Sequence, residues 1–155
     1  MNRMTDGSLK LEYEDILHYL KNRPPLLMID SAVVKPGCSA FSNKYLRQDD
    51  WYFPCHFPGN PMMPGVLQLE SVFQTAALAI KTLQGNQEKT TNISRIKYAS
   101  YFKPILPEMF ITIMAEVQRY HRGVALMKGE ICSEDVQHFS TEFILAIPED
   151  MVLIQ

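Results

Sequence analysis

Cysteine is scarce in this chain and badly placed for structural work. The 155 residues hold three, Cys38, Cys55 and Cys132, with no C-x-x-C pair. An odd, widely spaced set is a poor disulfide framework and a poor zinc site, and it reads as reduced thiols of a cytosolic protein. Positive charge is not in excess either: 15 Lys and Arg stand against 17 Asp and Glu, a net charge of −2. With no basic field to attract phosphates, a nucleic-acid-binding role is unsupported. Long hydrophobic runs are missing. The most apolar stretch, Val66–Ile80, is broken by Gln68, Glu70, Ser71, Gln74 and Thr75, which is too polar for a membrane span. The opening residues, MNRMTDGSLKLEYED, have no apolar core, so a secretory signal is not expected. Repeats and low-complexity tracts are missing as well.

What is present is ordinary globular material. Hydrophobic residues make up 46% and charged residues 21%, and the length suits one domain over 1–155. Tyr13, Ile16, Leu17 and Leu20 fall at i, i+3, i+4 and i+7, one apolar helix face, with Pro24-Pro25 as its stop. Leu26–Val34 reads as a buried strand and Cys38–Leu46 as a second. The loop over 47–63 carries Trp51, Phe53 and Phe57, so something is expected to bury it. Pro64-Gly65 then opens a helix over Val66–Leu83, apolar on most sides and so buried. Gly85 is the expected stop. Four strand-like runs follow: Asn92–Lys103, Phe110–Tyr120, Val124–Glu134 and Val136–Ile147. Strands in succession without helices imply an antiparallel sheet. The expected fold is α+β, one long central helix wrapped by one curved antiparallel sheet.

The chemistry gathers in one stretch, Cys55 to Gln74. His56 sits in a proline-stiffened loop. Gly65 stands at a helix start, where N–H groups are unpaired and the helix dipole is positive. Glu70 lies in the second turn of a mostly apolar helix, and a carboxyl in apolar surroundings tends to keep its proton. Base, acid and oxyanion site together suit proton removal beside a carbonyl, followed by loss of a leaving group. Each residue alone has a plainer explanation. Glu70 could be an internal residue satisfied by Gln74 at i+4. His18, His121 and His138 read as structural or surface histidines. Cys55 and His56, as sequence neighbours, are poorly placed to act as a nucleophile pair. Lys97, Lys103, Arg119 and Arg122 read as solvated strand and turn residues, or as a landing place for an acidic carrier protein.

Taken together, His56-Phe57-Pro58-Gly59-x-Pro61-x-Met63-Pro64-Gly65-Val66-Leu67-x-x-Glu70-x-x-x-Gln74 resembles the signature of the hotdog-fold 3-hydroxyacyl-[acyl-carrier-protein] dehydratases of the FabZ type. Pro25-Leu26-Leu27-Met28-Ile29-Asp30 and Tyr101-Phe102-Lys103-Pro104-Ile105-Leu106-Pro107 extend the likeness over nearly the whole chain. The resemblance implies a hotdog fold, with His56 handling the C2 proton, Glu70 helping the 3-hydroxyl leave as water, and the Gly65 N–H polarising the thioester carbonyl. It implies that Gln74 orients the acid, and that Phe57, Met63 and Val66 lie against the substrate, with Leu67, Phe73, Ala76 and Ala77 as further channel or core residues. No metal or redox cofactor is implied. The implied partners are an acyl carrier protein holding the substrate and a second copy of the chain, each site taking His from one copy and the carboxylate from the other. Pro58, Pro61 and Pro64 are expected to hold the His56 loop extended, away from its own Glu70.

The sister type that also isomerises is similar but has Asp where Glu70 stands, so Glu70 favours the type that only dehydrates. The chain departs from the family pattern at three places. Cys55 replaces a Gly, Lys21-Asn22-Arg23 replaces Pro-His-Arg, and Glu108-Met109 replaces Gly-Asp. These lie outside the His56, Gly65 and Glu70 set and bear on substrate and pathway. Two other readings stay open: a hotdog thioesterase, or an acyl-binding partner without turnover.

Overall fold

The computed structural model describes residues 2–151. Its long helix and the four strands after it stand where their sequence runs put them. The order is β1 (Asn2–Arg3), β2 (Leu9–Leu11), α1 (Tyr13–Tyr19), β3 (Ser31–Lys35), β4 (Ser39–Tyr45), α2 (Gly65–Lys81), β5 (Asn92–Tyr101), β6 (Phe110–His121), β7 (Val124–Ser133), β8 (Val136–Ala146) and a 3-10 turn, Pro148–Asp150. All strands join one antiparallel sheet in the order β1-β2-β3-β4-β6-β7-β8-β5. The pair β1 and β2 was not foreseen, because runs of two and three residues are too short to show alternation.

Helix α2 lies mainly over β4 and β6. Alternate strand residues meet it: Ile111, Ile113, Ala115, Ala125, Met127 and Phe143 are buried. Where β7 crosses the helix only glycine fits. A Cβ on Gly129 would stand 2.2 Å from Val72 Cγ1, and Val72 is fully buried.

Three boundaries differ from expectation. The strand expected over Leu26–Val34 begins at Ser31. Leu27, Met28 and Ile29 are buried as anticipated, but the Met28 N–H and Leu26 carbonyl bond to the Gln74 side chain at 2.8 Å each. Backbone groups committed to a helix side chain are lost to a strand ladder. Helix α1 ends at Tyr19, short of Pro24-Pro25. The Arg23 guanidinium takes the carbonyls of Leu17 (3.1 Å), Leu20 (2.7 Å) and Asn22 (2.8 Å), satisfying groups that a helix end leaves open. Helix α2 ends at Lys81, before Gly85, with Thr82 Oγ1 donating to the Leu78 carbonyl at 2.7 Å.

Candidate active site

The 47–63 loop is ordered by its own hydrogen bonds. Phe53 and Tyr52 are buried, whereas Trp51 and Phe57 stay 51% and 50% exposed, so only part of the aromatic set finds cover. The loop is not extended. Phe57 and Asn60 exchange two backbone bonds (3.0 and 2.9 Å), and the Met62 N–H returns to the His56 carbonyl at 2.8 Å. Proline restricts its own φ and its predecessor, and leaves the intervening residues free to turn. This fold-back seats His56. Its Nδ1 lies 2.9 Å from the Met62 carbonyl. A carbonyl only accepts, so in the neutral ring Nδ1 carries the proton and Nε2 the lone pair. The Phe57 ring stacks on the imidazole, centroids 4.0 Å apart and planes at 27°.

Gly65 is the first residue of α2, and the Leu67 and Gln68 N–H groups turn back to the Pro64 carbonyl. The Gly65 N–H comes before these first helical bonds and is open to a ligand. Tyr101 lies directly on Gly65: a Cβ there would sit 2.8 Å from the Tyr101 Cε1. The Tyr101 hydroxyl donates to the Gly65 carbonyl at 3.1 Å, and burial pushes its phenol up, so it remains a donor. His56, Met63, Gly65, Gln68, Tyr101 and Lys103 line one cavity of about 400 Å³.

Glu70 lies elsewhere. Together with Asn22, Phe73, Gln74, Ala77 and Ile93 it lines a second cavity of about 120 Å³. Its Oε1 accepts from Gln74 Nε2 at 2.8 Å and from Asn22 Nδ2 at 3.0 Å. Gln74 is 2% exposed, and its amide is fixed, because its Oε1 must face the Met28 N–H and its Nε2 the Leu26 carbonyl. Asn22, a departure from the family pattern, therefore touches the carboxyl itself.

Of the remaining expected site residues, Met63 is buried on the His56 cavity and Val66 is 72% exposed, apart from both cavities. Leu67, Ala76 and Ala77 are buried, and Phe73 packs edge-on to Phe143 at 4.8 Å. Cys55 turns its thiol to the Tyr52 carbonyl (3.2 Å) and is not part of the His56 cavity wall. His138 is buried with Nδ1 3.3 Å from the Lys103 carbonyl. Lys97 pairs with Glu142, and Arg119 and Arg122 flank a separate hollow with His121. Sequence reasoning missed Asn22, Gln68 and Tyr101. Gln68 and Tyr101 gave only the weak signal of lying within or next to family-like segments.

Among the described residues no three His, Cys, Asp or Glu side chains gather closely enough to hold a metal ion, and no helix is long and apolar enough to cross a membrane.

The FabA-like domain family matches residues 20–142. The 3-hydroxyacyl-[acyl-carrier-protein] dehydratase FabZ of Chloroflexus aggregans is 29% identical over 140 residues, 90% of this chain and 97% of that protein. The FabZ of Lactobacillus helveticus is 30% identical, over 90% and 95%. Among solved structures, protein PH1136 of Pyrococcus horikoshii superposes with a TM-score of 0.66 at 14% identity, covering 93% of this chain and 98% of that one. That likeness speaks to the fold alone, which is the hotdog. With the family matching most of its length and the FabZ relatives aligned end to end, the chain belongs to the FabA-like family.

Proposed function

We propose that this protein is a 3-hydroxyacyl-[acyl-carrier-protein] dehydratase of fatty-acid or related acyl-chain biosynthesis, removing water reversibly to give a trans-2-enoyl thioester. The observation that carries the reading is the orientation of His56, whose Nδ1–H is held by the Met62 carbonyl so that Nε2 is a ready base. In the reaction Nε2 takes the C2 proton. The Gly65 N–H, at the positive end of α2, holds the developing charge on the thioester oxygen. Glu70 delivers a proton to the 3-hydroxyl, which leaves as water as the C2–C3 double bond forms. The proton gained by His56 and the one lost by Glu70 balance over the cycle. Relatives named as acting on carrier-protein thioesters support the acyl carrier protein as substrate donor. Reduced thiols favour a cytosolic setting.

The functional unit in this reading is a homodimer. His56 and Glu70 line different cavities of one chain, so neither cavity is a complete site. Strand β5 ends the sheet and exposes Ile96, Tyr98 and Tyr101 at 43–50%. A ten-residue edge strand that exposes three large apolar or aromatic side chains calls for a partner. Antiparallel pairing of β5 with its copy lays the Tyr101 end of one chain against the Ile93 end of the other. Tyr101 borders the His56 cavity and Ile93 the Glu70 cavity. The pairing brings His56 of one chain to Glu70 of its partner, giving two sites per dimer.

One incubation with a 3-hydroxyacyl thioester tests the activity, followed by enoyl absorbance and by free thiol. Enoyl product is expected. Free thiol instead would show a thioesterase, and neither product with retained binding would show an acyl-binding protein.

A further inference from the structure

We propose that Asn22 is a positioning residue that, with Gln74, decides which oxygen of Glu70 carries the catalytic proton. The inference rests on the reading of Glu70 as the acid. Both amide donors converge on Oε1, Gln74 Nε2 at 2.8 Å and Asn22 Nδ2 at 3.0 Å. Among the described residues Oε2 has no protein hydrogen-bond partner. In a protonated carboxyl the hydroxyl oxygen is the donor and the carbonyl oxygen the acceptor. Two N–H groups aimed at Oε1 therefore make it the carbonyl oxygen. The proton is placed on Oε2, the oxygen left to the substrate.

The donors are held independently of each other. Gln74 is fixed by the Met28 N–H and Leu26 carbonyl. Asn22 lies on the non-helical 20–23 segment, which Arg23 ties down through the Leu17, Leu20 and Asn22 carbonyls. Without Asn22, one bond from Gln74 remains, and the carboxyl can rotate about its terminal torsion, which is broad and roughly two-fold. The other walls of the Glu70 cavity, Phe73, Ala77, Thr91, Ile93 and Leu145, carry no charge. Lys21, Lys81 and Lys89 line the adjoining cavity, which shares Asn22 and Thr91 with it.

The experiment compares Asn22→Ala, Asn22→Asp and Asn22→His with Glu70→Gln in the full-length dimer. The substrate is a 3-hydroxyacyl thioester of N-acetylcysteamine, and melting temperature is measured in parallel. Losing one hydrogen bond to an ionisable partner lowers kcat of Asn22→Ala about tenfold with KM nearly unchanged. Asn22→Asp keeps the shape, offers an acceptor in place of the donor, and loses at least as much. Asn22→His restores an N–H donor and returns kcat to within about threefold of wild type. Wild-type kcat in Asn22→Asp, beside a dead Glu70→Gln, overturns the proposal and leaves the acid assignment standing. So does an Asn22→His as slow as Asn22→Ala, since the donor would then be irrelevant. An active Glu70→Gln removes the acid reading itself. A lowered melting temperature in Asn22→Ala with kcat intact reduces Asn22 to a packing role and equally refutes the proposal.

Discussion

At the scale of single residues, His56 is set by a backbone carbonyl and not by another side chain. The Met62 carbonyl holds Nδ1–H at 2.9 Å, so replacing the ring removes the base without unmaking a packed core. His56→Ala is expected to lose about 10²–10⁴ in rate, with an unchanged melting curve. Turnover near wild type would exclude His56 as the base. Gly65 is constrained differently. With Tyr101 Cε1 2.8 Å from where a Cβ would be, Gly65→Ala has to displace the ring that walls the His56 cavity. Near-complete loss of turnover with little change in melting temperature is expected, because Tyr101 is itself half exposed. Retained activity would mean that the Tyr101 contact is dispensable. Glu108, which stands where the family has glycine, adopts φ 65°, a conformation uncommon for residues with a Cβ.

At the scale of elements, the sheet and the helix are matched by size at their crossing. Gly129 on β7 faces Val72 on α2, and both the β-branched side chain and the strand backbone are buried. Gly129→Ala forces a methyl into the 2.2 Å gap to Val72 Cγ1, and overpacking of this kind costs about 1–3 kcal/mol. A denaturant titration reads that cost directly. Wild-type stability would mean that α2 can shift on the sheet. The same element carries the proposed oxyanion donor and the proposed acid. Its first residue is Gly65, and Glu70 follows in its second turn. Beyond Gly65 the less buried residues of α2, Val66, Leu69, Glu70 and Phe73, fall at i, i+3, i+4 and i+7, so they form one face along the helix.

At the scale of the whole molecule, His56 and Glu70 line separate cavities of each chain, and β5 is an edge strand of the sheet. Mixing two inactive variants, His56→Ala and Glu70→Ala, through unfolding and refolding tests whether the two cavities complete each other. Random pairing makes half of the dimers mixed, and each mixed dimer carries one intact site. About a quarter of wild-type activity should return. Mixed dimers confirmed by mass yet inactive would place each site within one chain.

The chain's local order determined much of this protein by itself. Helix α2 follows from an apolar run opened by Pro64-Gly65, and β5–β8 from strand-like runs in succession, with period two in β6, patterns that arise within a few residues. The motif residues His56, Gly65 and Glu70 lie within fifteen positions of one another, so a linear signature can hold them all. Only the tertiary structure decided that Asn22 reaches Glu70 across 48 positions, that Gln74 spans the 26–28 strap, and that Tyr101 covers Gly65. The fold also separates His56 from its own Glu70, and it does so without the extended proline loop expected from sequence. Hydrogen bonds between distant segments depend on which backbone groups the sheet leaves unpaired. The Met28 N–H and the Leu26 carbonyl are such groups, and it is the packing of 26–28 across α2, not any local preference, that gives them to Gln74.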